Sequence, residues 1–210
     1  MKTATLTAFL AAAAAFTPSL AHADDDEPSA PTWFGGGTLD LMPVGSLDLK
    51  VATESRSADT SMAWGFGGLV EKHINPVVSV GVAPRYVVDL KGADAPKSAS
   101  QLDLRARFAL GGEAAPGTRL YALASPGFSW MFLPDDPGHA NSPRTSSGFV
   151  LGVGAGVQVA LAPKLVLVVE AGYQLGFQNG TSYVDNSSGV DFTLSSSFLQ
   201  LSVGLVEALD

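Results

Sequence analysis

The chain has 210 residues, 46% of them hydrophobic and only 15% charged, with 23 Gly, 13 Pro and no Cys. That length suits one domain, and the sparse charge excludes a disordered polyelectrolyte. Without cysteine there is no disulfide scaffold, thiolate metal site or cysteine nucleophile, and 12 Lys+Arg against 20 Asp+Glu (net -8) argues against nucleic acid as a partner.

Residues 1–23 read as a secretory signal peptide. Lys2 supplies the positive start, residues 9–16 (FLAAAAAF) a short apolar core, and Ala21-His22-Ala23 the small-x-small pattern expected to be cut after Ala23. The apolar run is too short for a membrane-spanning helix. The mature chain, 24–210, would begin with Asp24-Asp25-Asp26-Glu27; with Pro28 and Pro31 this makes 24–32 an acidic, solvated periplasmic tail.

From residue 33 onward the hydrophobic period is two, the repeat of a β-strand. Segments 33–47, 61–71, 77–90, 101–110, 119–132, 149–161, 165–177 and 191–206 read as eight strands. In 149–161 (FVLGVGAGVQVAL) one face is Phe149, Leu151, Val153, Ala155, Val157, Val159 and Leu161, and the other is Gly152, Gly154, Gly156 and Gln158. In 165–177 Glu170, Gly172, Gln174 and Gly176 stand opposite a continuous aliphatic and aromatic face. Pro43, Pro126 and Ser195-Ser196-Ser197 mark expected irregularities in the first, fifth and last strands.

Long polar connections (48–60, 91–100, 133–147, 178–190) alternate with short ones (73–76, 111–118, 162–164). Such alternation suits a barrel crossing a membrane, with long external loops at one end and short periplasmic turns at the other. The small, charge-poor face fits a cramped lumen, and the aliphatic face fits lipid. The fold class expected is therefore all-β: an eight-stranded antiparallel up-and-down transmembrane β-barrel over 33–206. Trp33, Trp64, Tyr86, Trp130, Phe132 and Phe177, toward strand ends on the aliphatic face, are the expected aromatic girdle.

The leader, the eight alternating strands, the long-short loops and glycine-rich hairpins such as GFVLGVGAGVQVALAPKLVLVVEAGYQLGF resemble the eight-stranded outer-membrane β-barrels of the OmpA/OmpX type. The resemblance implies outer-membrane lipid and lipopolysaccharide as surroundings and the barrel assembly machinery as a partner. It also implies a terminal aromatic residue, where this sequence instead ends Val206-Glu207-Ala208-Leu209-Asp210.

On the inward face lie Asp40, Glu71, Arg85, Asp89, Asp103, Arg105, Arg107 and Glu170. Isolated charges in a dry lumen are costly, so these are expected to pair as a plug. A narrow pore is the alternative, and a lipid A-modifying enzyme the third reading. The enzyme would draw on His139 with Ser142 or Ser146 and Asp135 or Asp136. His73 falls in a short turn, and Asp135, Asp136 and Asp185 read as solvated loop acids, with no metal site, cofactor or catalytic residue expected. Asn179-Gly180 and Asn186 read as turn formers.

Overall fold

The computed structural model describes residues 33–51, 53–92, 97–134, 145–183 and 189–209. The expected leader and tail, and His139, Ser142, Asp135, Asp136, Asp185 and Asn186, lie outside them. The described chain forms ten antiparallel strands: β1 (Trp33–Met42), β2 (Gly45–Val51), β3 (Glu54–Thr60), β4 (Ala63–His73), β5 (Val78–Leu90), β6 (Ala99–Ala115), β7 (Thr118–Phe132), β8 (Thr145–Ala162), β9 (Leu165–Tyr183) and β10 (Gly189–Leu209). Eight of them, β1 and β4 to β10, pair with sequential neighbours, and β1 closes the ring on β10 through Trp33↔Leu209 to Leu41↔Leu201. The fold class is that expected from the sequence.

The hydrogen-bond register sets the barrel's shape. A row followed from Trp33 passes through Lys72, Val80, Phe108, Ala124, Val153 and Tyr173 to Leu199. Leu199 is ten residues from Leu209, the partner of Trp33 on β10. A stagger of ten residues over eight strands gives a strand tilt of about 40°, within the range of closed barrels.

At the end that carries Trp33 and Leu209, the connections are tight. Asn75 Oδ1 accepts from the Val77 and Val78 amides at 2.8 and 2.7 Å, closing the β4–β5 turn. The β6–β7 turn needs Gly117, whose φ is +72° and whose amide donates to Glu113 Oε1 at 3.0 Å.

The opposite end departs from the sequence reading in three ways. Residues 48–60, expected as a loop, are largely sheet: β2 pairs with β10 on one side (Phe192↔Val51 to Phe198↔Gly45) and with β3 on the other. Pro43 cannot donate to a ladder, so the first strand breaks there and resumes as β2, still on β10. Alternation is lost because β3 (ESRSADT) is polar on both faces, and apart from the Thr60↔Gly92 bridge its partner among the described residues is β2. Second, Asn179 and Gly180 are not turn residues; they lie inside β9, paired with Thr193 and Phe192. Third, the register slips between Val87 and Leu90, where Asp89 adopts φ +57°. Val87 and Leu90 thus both face inward, and Asp89 is displaced from the lumen.

Burial identifies the solvent around the wall. Leu39, Leu110, Val203, Leu205 and Phe177 are each at least half exposed, whereas Glu71, Arg85, Asp103 and Gln174 are 1% exposed or less. A continuous apolar band outside charged contents is untenable in water and is what lipid requires. A second apolar cluster (Met42, Ala63, Val87, Leu90, Met131, Phe192, Leu194, Phe198) packs inside the long-loop end, joined by Leu47, Leu49 and Val51 of β2.

Candidate functional site

The barrel's contents form one column of polar side chains, set by strand alternation. At the short-turn end Glu71 is the hub. Arg107 Nε donates to its Oε2 at 2.5 Å, Gln158 Nε2 donates to its Oε1 at 3.1 Å, and His73 Nε2 lies 3.1 Å from the same oxygen. Arg107 Nη2 is 2.5 Å from Glu170 Oε1, to which the Tyr121 hydroxyl donates at 2.6 Å. The Tyr121 ring is flanked by two guanidinium groups, Arg107 at 5.3 Å and Arg119 at 5.6 Å from its centroid. Arg119 also donates to Ser79 Oγ (3.2 Å), Gln158 Oε1 (3.3 Å) and the Val77 carbonyl (3.1 Å).

Midway up, Arg85 grips Asp103 through Nε (3.1 Å) and Nη2. It also donates to Gln174 Oε1 and, at 2.7 Å, to Gln200 Oε1. Gln101 Nε2 donates to the other Asp103 oxygen at 2.7 Å. Gln200 Nε2 donates to Asp40 Oδ1 at 2.9 Å, and Ser202 Oγ donates to the same oxygen. Higher still, Ser146 Oγ donates to Gln178 Oε1 (2.9 Å), and Gln178 Nε2 donates to Ser129 Oγ (2.7 Å).

Of the eight charges expected inside, the structure brings seven together: Asp40, Glu71, Arg85, Asp103, Arg105, Arg107 and Glu170. Asp89 is corrected: its side chain is 46% exposed and meets Lys91 Nζ at 3.6 Å, because the bulge turned it out of the column. Arg119, unremarked in the sequence, takes the eighth place. Four acids then face four arginines, so the described column is formally neutral. Arg119 was missed because its own face (Tyr121, Leu123, Ser125, Gly127) has no polar signature. Gln178 and Gln200 were missed, and Gln101, Gln158 and Gln174, though on the polar strand face, were not named as members, because an uncharged amide raises no burial alarm in a sequence.

The girdle residues are placed on the outer wall. Trp64 (50% exposed), Tyr86, Trp130, Phe132 and Phe177 lie toward the long-loop end, with Phe66, Phe128 and Phe149 joining them. Phe128 and Trp130 stack edge-on with centroids 4.8 Å apart. Trp33 stands alone of the six at the other rim, with Lys72 Nζ 5.2 Å from its ring. His73 belongs to the column's mouth rather than to a turn, packed on Phe34 with centroids 4.6 Å apart. No group of three or more His, Cys, Asp or Glu suited to a metal occurs among the described residues.

The structure is similar to that of outer membrane protein AlkL in lipid bilayers (11% identity, 90% of this chain and 95% of that one, TM-score 0.55). It is also similar to Neisserial surface protein A (16%, 84% and 97%, TM-score 0.45) and to the outer membrane protease OmpT of Escherichia coli (9%, 89% and 99%, TM-score 0.48). At such identity a likeness carries the fold alone, and of these three it is the one to AlkL, above 0.5, that does so. No curated protein matches the sequence. The family model for the outer membrane protein β-barrel domain matches residues 6–205, nearly the whole sequence, and the chain belongs to that family.

Proposed function

We propose that this protein is a non-catalytic outer-membrane barrel with a structural and surface-interaction role, its lumen closed by the charged column. The reading rests chiefly on the pairing of buried charge: four acids and four arginines share one column, cross-linked by five glutamines. An ion crossing the barrel would have to break these contacts in a low-dielectric interior, where each orphaned charge costs several kcal/mol. Cleavage after Ala23, lipopolysaccharide at the outer rim and delivery by the barrel assembly machinery complete the proposal. A narrow pore is the second reading, favoured by the cavity described below. Lipid A chemistry finds no support in Ser146, which is buried and bonded to Gln178.

The test is expression of the full precursor in a Gram-negative host, with outer membranes compared boiled and unboiled on gels. The expected result is a mature, outer-membrane band whose mobility shifts only on boiling, and silent planar-bilayer recordings. Steady unit conductance from the wild type would replace the plug with the pore.

A further inference from the structure

The column is not uniformly packed. At mid-height, β8 and β9 turn glycines inward (Gly152, Gly154 and Gly172), and a cavity of about 40 Å³ lies against them. Two charges face it without an ion pair among the described residues. Arg105, 8% exposed, has an Nε with no protein partner, and its Nη1 makes one long contact, 3.3 Å to Gln200 Oε1. Asp40, 5% exposed, is bonded through Oδ1 while its Oδ2 has none. Gln200 stands between them, accepting from the arginine side and donating to the aspartate.

We infer that this cavity is a water site whose ordered waters bridge Arg105 Nε to Asp40 Oδ2. A buried water needs roughly 10–15 Å³ of such space and two to four polar partners, so the cavity admits about three or four. An anion there would face Asp40 and Glu170, and a cation would face Arg105 and Arg107. A neutral molecule that both donates and accepts suits a cavity lined by one side chain with an unpaired N–H and another with an unpaired carboxylate oxygen. The other acid–arginine contacts of the column are direct; this one is completed by solvent, which makes mid-height the place where the seal is wet. The inference rests on the plug reading, since an open channel would fill the whole lumen with bulk water.

The experiment is water-to-protein cross-relaxation at arginine Nε–H groups of the ¹⁵N-labelled barrel in lipid nanodiscs. Arg105 Nε–H is expected to show a cross-peak to long-lived water, and Arg85 Nε–H, which donates to Asp103 at 3.1 Å, to show none. Gly152→Ala sets a methyl against Ser125 Oγ and 3.8 Å from Arg105 Nη1. It should weaken the Arg105 cross-peak at least twofold while the boiling-dependent gel shift persists. A silent Arg105, or equal cross-peaks at Arg85 and Arg105, overturns the inference whatever the variant does. Ion flux through vesicles carrying the wild type judges the plug separately. Sealed vesicles with a silent Arg105 sink the water site alone, whereas leaking vesicles with equal cross-peaks sink both.

Discussion

Arg107 on β6 and Glu71 on β4 meet at 2.5 Å across the face of the intervening strand β5, both side chains at most 4% exposed. Strand alternation aims both inward, and Gly81 lies between them in the register, opposite Glu71 on one side and Arg107 on the other. A Cβ on Gly81 would collide with the Val70 carbonyl and with Glu71 Cα, so the glycine lets the strands carry this pair at close quarters.

Glu71→Gln should therefore destabilise the barrel, by less than the about 3–5 kcal/mol of a wholly orphaned buried charge, because Arg107 keeps Glu170 at 2.5 Å. The loss exceeds one contact because Glu71 also holds Gln158 and His73. Removing both charges, as Glu71→Leu with Arg107→Met, should cost more than the single change, because it also leaves Glu170 without its arginine. Urea unfolding, followed by the boiling-dependent gel shift, measures both. A double variant no less stable than Glu71→Gln would show that Glu170 does not depend on Arg107.

The strand faces were legible because lipid and lumen impose opposite solvents on alternate residues, and β8 and β9 keep that alternation from Thr145 to Ala160 and from Leu165 to Thr181. Legibility failed where this contrast stops. Beyond the membrane's outer edge, β3 (ESRSADT) is exposed on nearly every residue, so no period marked it as a strand. Asp89 failed for a local reason: one bulge inverts facing, and nothing in VVDL signals where the phase turns. Seven charges of the column could be read as inward from parity alone. Their partners could not, because Gln200 and Gln174 come from strands far away in sequence and closure brings them to Arg85.

Depth in lipid gives a graded prediction. Val203 is 51% exposed and, with the 40° tilt taken into account, sits near mid-height of the apolar band. Val157 lies about 6 Å nearer the short-turn rim. Val203→Arg should cost about 2–4 kcal/mol and Val157→Arg less, since the penalty falls toward the interfaces. Equal and negligible costs in urea unfolding would mean that the outer face is not in lipid.

The three tryptophans report orientation independently. Trp64 and Trp130 stand at the long-loop rim and Trp33 at the other, so all three are expected at a membrane interface. In single-tryptophan variants, bromines placed near the lipid headgroups should quench each one more strongly than bromines at the chain ends. An aqueous quencher added only outside closed, uniformly oriented vesicles should reach one rim and spare the other. Trp64 and Trp130 answering differently from each other would break the belt.

Two adjacent glycines test packing against backbone freedom. A Cβ on Gly111 would run into the Leu120 carbonyl and the Cα and Cβ of Tyr121, the ring that separates Arg107 from Arg119. A Cβ on Gly112 meets nothing within 4 Å. Neither has positive φ, so alanine's backbone preferences are not at issue. Gly111→Ala should cost about 1–3 kcal/mol, as overpacking does, because the obstruction is main chain and cannot rotate away. Gly112→Ala should be neutral or stabilising by about 0.4–1 kcal/mol through the unfolded chain. The comparison needs only urea midpoints of the two variants. If Gly111→Ala matched Gly112→Ala, the Tyr121 ring would have room to move, and the two arginines on its faces would not be held apart by packing.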